Sequence, residues 1–344
     1  MKSQTLSSTS LGADWAKRLG RPEGALRHTV AVDGPIEPGL ALYEALAGGR
    51  ANGARTVVTA ASPEKTDLAR SLGLAPLADT PSGTAYFAGV IEDVLHRTFV
   101  LASTADRAKM REGFPKQIED RLARHVASFY EGAWARAVLE RKLSVRQYVI
   151  TLQNMHQYVR FTTRLLGRAV ACSATTPLRA HFAKHLAGEV NHEILIERDL
   201  EKLGESVAYL RDERYANPAT RAFMVLEQSM VSFECDPVLF AACPLAAEGI
   251  TAHMDRAFLE ALRDTVGRGN AELAKKATTF FSSHIETDGG DDGHWAFTMG
   301  LLKENLPDER KLGEFLTILE LAAQSFTDGF NANVEDYALF SLPG

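Results

Sequence analysis

Cysteine is scarce in this chain. Only Cys172, Cys235 and Cys243 occur in 344 residues, too few and too scattered for a disulfide framework or a zinc knuckle, and all three read as small core residues. No run of about 18 apolar residues occurs, so no segment reads as membrane-spanning. The opening stretch MKSQTLSSTSLGADW is polar and lacks the apolar core of an export signal, which makes the cytoplasm the expected location. Positive charge is also in short supply. The net charge is −6, and no basic stripe with interleaved aromatics is found, so nucleic acid is not an expected partner. Internal repeats and low-complexity tracts are missing as well.

What is present is the composition of a soluble globular protein, long enough for one large domain or two ordinary ones. The chain changes character near residue 105. In residues 1–105, HTVAVD (28–33) and RTVVTA (55–60) read as short strands, each followed by a helical stretch, at 37–48 and 63–72. Gly and Pro punctuate the joins, as in a small β-α-β-α unit. Residues 74–83 read as a Pro-rich linker and 84–101 as a further helix. The run GARTVVTAASPEKTDLARSLGL resembles the second strand and helix of a nucleotide-binding Rossmann unit. The preceding turn has Gly34 and Gly39 but not the G-x-G-x-x-G that admits a pyrophosphate. A structural or dimer-forming cap is therefore expected there.

Residues 106–344 read as helix throughout. Pro115 opens a segment to Lys142, Ser144 caps the next to Cys172, and Pro177 begins one that ends near Gly204. Later helices are expected at 217–234, 237–266, 270–288, 293–305 and 308–329, packed antiparallel through short loops.

The most informative stretch is HFAKHLAGEVNHEILIERDLEKLG, residues 181–204, read as one amphipathic helix. Its apolar stripe, Leu178, Phe182, Leu186, Ile196, Leu200 and Leu203, is interrupted by His185, Glu189 and His192. These stand at i, i+4 and i+7 and share one face. Burying a carboxylate between two imidazoles is costly unless each is paired or bound to a metal. His185 reads as the partner that holds Glu189, and Glu193 as an outward-facing charge. Other helices repeat the interruption. His156 falls on the edge of the stripe of 144–172, with Tyr158, Arg160 and Arg164 nearby. His284 and Asp288 follow Phe280 and Phe281 on 270–288. Asp291 and His294 come just after, in the break GGDDGHW, and Glu227 lies on the inner edge of 217–234. Imidazoles and carboxylates without thiolates suit iron, manganese or zinc. Only one Glu-x-x-His pair, Glu189/His192, lies in a regular helix, so a regular ferritin-like bundle fits poorly.

The segments MHQYVRFTTRLL, HFAKHLAGEVNHEILIERDLEKLG and FFSSHIETDGGDDGHW, in that order, resemble the heme-oxygenase-like superfamily, and within it the iron-containing redox enzymes, the non-heme di-iron oxidases and N-oxygenases. The resemblance spans roughly 115–330. It departs from the family pattern at His156, where a Glu is usual, and in the three additional residues before His294. It implies a mainly α, heme-oxygenase-like bundle carrying a small N-terminal α/β unit, with one or two non-heme iron ions held by His156, Glu189, His192, His284, Asp288 and His294, and Glu227 as a bridge. Asp291 and His185 would support these ligands. Tyr158, Arg160 and Arg164 would meet a small carboxylate- or amine-bearing substrate, oxidised with O2; apart from the resemblance, a homodimer is one expected assembly, its oligomeric state being left open by the sequence. Other classes remain open at this point: a metal-free thiaminase-type or quinone-cofactor-synthase-type enzyme on the same fold, a heme protein with His156 as axial ligand, and a non-enzymatic helical binding module.

Overall fold

A computed structural model describes residues 15–17, 19, 28–32, 36–80, 83–208, 210, 216–288 and 294–335, with side chains at all of these except 286–288, 294–296 and 335. The chain divides into two compact units. The first comprises residues 1–120 together with Leu306–Gly313, the second residues 121–305 with Glu314–Gly344.

In the first unit the β-branched runs form strands as expected. β1 (Thr29–Val32) pairs in parallel with β2 (Thr56–Ala61), and Val30, Ala31, Val57 and Val58 are buried. The crossover between them carries α1 (Leu40–Ala51). Gly49 lets α1 lie close on the sheet, since a Cβ there would stand 1.9 Å from Val30 Cγ2. Two expectations fail in the next segment. Residues 74–83 do not form a linker but contain β3 (Ala75–Asp79), and 84–101 begins as β4 (Ala85–Val90) before turning into a helix at Ile91–Leu101. Both strands are antiparallel, giving the order β1-β2-β4-β3. Alternation supplies the reason for β4: Ala85 and Phe87 point into the core while their neighbours are half-buried. β3 is exposed along its length and has a register shift between Pro76 and Ala78, as an edge strand with proline tolerates.

Within this unit α1 also carries a buried ionic network. Arg50 lies 2.5 Å from Glu309 and 2.7 Å from Glu92. It also bonds Gln117, and the Tyr43 hydroxyl donates to Glu309.

The second unit is helical. α2 (Val145–Cys172) starts at Ser144, whose hydroxyl accepts from the Gln147 amide while the Gln147 side chain accepts from the Ser144 amide, a reciprocal cap. α3 (Thr176–Glu189) and α4 (His192–Lys202) replace the single helix expected over 177–204. Asn191, at φ 75°, ends the first and starts the second. α5 (Pro218–Ser232) follows. The stretch 237–266 is three helices, α6 (Pro237–Phe240), α7 (Ala242–Ala252) and α8 (Arg256–Gly267), and 270–288 is two, α9 (Ala271–Lys276) and α10 (Thr279–Asp288). Likewise the segment from Pro115 to Lys142 divides at Gly132 into Phe114–Glu131 and Ala133–Leu139, and the last helix runs on to Glu335. Packing around Trp134 unites the bundle: its ring meets Phe129, Phe258, Phe281 and Phe330 with centroids 4.7–6.1 Å apart. Among the described residues no helix is long and apolar enough to cross a membrane.

Candidate metal centre

Four side chains gather around the carboxylate of Glu189, the five together coming from four helices of the second unit. Glu189 is the last residue of α3, where the helix stops at Val190, so its side chain lies at a helix end and not in mid-helix. Its two oxygens face different partners. Oε1 is 3.8 Å from Nε2 of His185 one turn back, and that nitrogen lies 2.7 Å from Oε1 of Glu248 on α7. Oε2 is 2.9 Å from Nδ1 of His192, the first residue of α4. The His192 ring meets that of His284 on α10 with centroids 4.7 Å apart. Two sets of three donors result, each with its ligand atoms within 4.8 Å of one another: His185, Glu189 and Glu248 in one, Glu189, His192 and His284 in the other. Glu189 belongs to both.

Neighbouring groups fix these side chains. Nδ1 of His284 lies 2.8 Å from the Phe280 carbonyl, which can only accept, so Nδ1 carries the proton and Nε2 presents a lone pair. The start of α10 is held by the buried Asp199 of α4, whose carboxylate accepts from the amides of Thr279 at 3.1 Å and Phe280 at 2.9 Å. Tyr148 of α2 donates to the Ala277 carbonyl just before it, at 2.9 Å.

The electrostatics follow from burial and pairing. Burial alone would raise the Glu189 carboxyl, but the hydrogen bond and charge of His192, with His185 and His284, outweigh it and hold the group at about 2. The hydrogen bond to Glu189 raises His192 against its own burial. Burial lowers His284. Glu227 on α5 is 2% exposed, and burial pushes its carboxyl up to about 8, with only His185 opposing. Its Oε2 has no hydrogen-bond partner among the described residues. An orphaned buried carboxylate oxygen within electrostatic reach of His185, itself a member of one donor set, is a setting in which a cation replaces missing partners. The residues fit a metal.

The site differs in part from the sequence expectation. The structure brings together Glu189, His192 and His284, with Glu227 close by. His185 does touch Glu189, and it also bridges to Glu248. His156 stands apart: it is fully buried, and its Nε2 lies 3.0 Å from Glu197 of α4. Glu193 is no outward-facing charge, since its Oε2 is buried without a hydrogen-bond partner among the described residues. Asp291 lies outside the described residues, as do the side chains of Asp288 and His294. Arg160 is half-buried close to His156. Arg164 is exposed and lies over the Phe161 ring. Tyr158 packs against Phe223 and Phe326 beside a cavity of about 10 Å³, room for no more than a water molecule. Sequence reasoning missed Glu248. Its signal was there, a lone acid in the apolar run PVLFAACPLAAEGI. Asp199 gave no such signal, because its role depends on which helix start it meets.

The fold has solved relatives. A domain of unknown function with a heme oxygenase-like fold from Shewanella denitrificans OS217 matches with a TM-score of 0.57 and 17% identity, over 65% of this chain and 94% of that one. The fold is heme-oxygenase-like. A TenA homolog from Pseudomonas syringae pv. tomato DC3000 is also similar, with a TM-score of 0.54 and 13% identity over 64% of this chain and 92% of its own. No protein-family model and no curated protein matches the sequence. Both structural relatives are covered nearly end to end by about two thirds of this heme-oxygenase-like chain, as expected of such a bundle with an α/β unit added.

Proposed function

We propose that this protein is a non-heme iron-dependent oxidase or oxygenase that uses O2 to oxidise a small organic substrate, with one iron ion or two at the Glu189 centre. One observation carries the reading: the two oxygens of Glu189 face separate donor sets. The Glu189, His192 and His284 set is two histidines and one carboxylate, the combination associated with non-heme ferrous oxygenases. The His185, Glu189 and Glu248 set adds a second carboxylate-rich position. When bound, iron supplies the electrons that reduce O2.

The chain's own groups then have definite tasks. Phe280 orients His284 through its carbonyl. Asp199 anchors the start of the helix that bears it. His185 keeps Glu189 and Glu248 from repelling one another. Glu227 holds a proton at neutral pH in the absence of a cation and is the carboxylate that ionises as positive charge enters. Arg160, on the neighbouring helix, is the cation we assign to a carboxylate of the substrate.

An anaerobic Fe(II) titration of metal-free protein, followed by mixing with O2, tests this. Two equivalents bound and a transient visible band support a di-iron oxidase; one equivalent supports a mononuclear site. Absence of binding, or binding that survives in both Glu189→Ala and His284→Ala, overturns the reading. Tight zinc binding with no oxygen consumption by the ferrous form does the same.

A metal-free, thiaminase-type reading has one observation in its favour: the buried Cys243 of α7 lies within electrostatic reach of Glu227. Burial pushes both groups toward their protonated forms, whereas a nucleophilic sulfur needs the thiolate. Activity retained in Glu189→Ala and lost in Cys243→Ser would favour this second reading.

A further inference from the structure

The sequence scatters its cysteines, yet the fold brings two of them to one junction, and neither is among the metal centre's donors. Cys172 is the last residue of α2. Its thiol donates to the carbonyl of Val231 at 3.4 Å, and the thiol of Cys235 is near enough to act on it electrostatically. Cys235 sits in the short turn between α5 and α6. That turn is tightly wound: the Glu234 amide bonds back to Ser229 and the Asp236 amide to Met230, with Cys235 itself at φ 52°. A second tie spans the same junction, from the Arg168 guanidinium on α2 to the Ser232 hydroxyl at 3.1 Å. Cys172 is half-buried, Cys235 is exposed and Cys243 is buried.

We propose that Cys172 and Cys235 are a reversible dithiol–disulfide pair, a redox-modification site that ties the end of α2 to the α5–α6 turn. Three features of the structure support it. The two thiols are neighbours at one junction, Cys172 against the Val231 carbonyl and Cys235 four residues further on, in the turn that follows. One of them is open to solvent, where an oxidant reaches it. The other is shielded and held in place by the Val231 carbonyl, so it serves as the resolving partner. Burial, then the contact with Cys235, pushes the Cys172 thiol up to about 11, which suits a group that waits for its neighbour to be oxidised first.

The co-reactant is a peroxide. The Cys235 thiolate attacks the peroxide O–O bond, which breaks; one oxygen stays on sulfur as a sulfenic acid and the other leaves as hydroxide or alkoxide. The Cys172 sulfur then attacks the Cys235 sulfur, the S–S bond forms, and the sulfenic oxygen departs as water with the Cys172 proton. Two electrons pass from the sulfurs to the peroxide, and a thiol reductant reverses the change. The junction links the helix that bears Glu227 to the segment leading to Glu248, but the inference needs no metal and stands independently of the proposed activity.

Peptide mapping of the full-length protein without reductant, before and after hydrogen peroxide, tests it. The expected result is a cross-link between the Cys172 and Cys235 peptides and a loss of about 2 Da. Alkylatable thiols in the denatured protein should fall from three to one, and all of this should reverse with dithiothreitol. Cys172→Ser and Cys235→Ser should each lose the cross-link. The proposal is overturned if peroxide leaves Cys172 alkylatable while Cys235 advances to sulfinic or sulfonic acid. It is equally overturned if the only disulfide formed joins two molecules through Cys235.

Discussion

A carboxylate that offers one oxygen to each of two donor sets makes Glu189 unlike any other ligand candidate here. Removing His185 or His284 thins one side of the cluster; removing Glu189 strikes both. Glu189→Gln is therefore expected to lower Fe(II) affinity by about 100-fold or more, the upper range for disturbing a metal site, and to abolish the second equivalent, whereas His284→Ala leaves residual binding. Equilibrium dialysis of both variants checks this. Binding should also be coupled to protons. His192 and Glu227 both hold protons more tightly than usual, so loading must release them. Calorimetry in buffers of different ionisation enthalpy should detect that release, with affinity falling as the pH drops below neutral. Asp199 affords a separate test. Burial raises its carboxyl from 3.8 to about 6 against the pull of the Phe280 and Thr279 amides. Between those values the folded state keeps a proton that the unfolded chain has lost, so the contribution of Asp199 to stability falls as pH rises through this window. Asp199→Ala, which strips the two amides of their acceptor, is expected to cost about 1–2 kcal/mol, as for loss of a helix cap, and to flatten that pH dependence in thermal melts.

At the scale of the element, helix ends do the positioning. The break at Asn191 puts Glu189 at the end of one helix and His192 at the start of the next, with Nδ1 of His192 still 2.9 Å from the Glu189 carboxylate. The left-handed conformation of Asn191 is costly for a β-branched residue and easy for glycine. Asn191→Val is expected to destabilise the protein by about 1–2 kcal/mol and weaken metal binding, while Asn191→Gly stays close to wild type in both; paired melts and Fe(II) titrations decide. The same detail explains what the sequence could and could not tell. The ligand-type residues were legible because they interrupt apolar stripes, and Ser144 and Pro177 announced their helices through capping chemistry. The breaks at Asn191, at Ala241 and between Lys276 and Thr279 were not legible, since no glycine or proline marks them and apolar periodicity runs across each. Strands β3 and β4 were hidden by Pro76, which suggested a linker, and by a strand short enough to merge with the helix after it. His156 shows the opposite error. Its place on a stripe says that it is buried but not what it meets, and what it meets is Glu197.

On the scale of the whole molecule, the first unit is closed by residues from far along the chain. Arg50 is buried with its charge balanced by Glu92 and by Glu309, the latter 2.5 Å away. Cutting one member of a buried pair leaves an uncompensated charge, so Glu309→Ala is expected to cost about 3–5 kcal/mol, read by chemical denaturation, whereas exposed pairs such as Arg256 with Glu260 should contribute less than about 1 kcal/mol. The position of Glu309 also sets an order of events during synthesis. When the first 120 residues have left the ribosome, the sheet and α1 are complete in sequence, yet Arg50 has no Glu309 to meet. That partner emerges only after the greater part of the helical bundle has been made. The small unit is thus the first to be written and among the last to be finished.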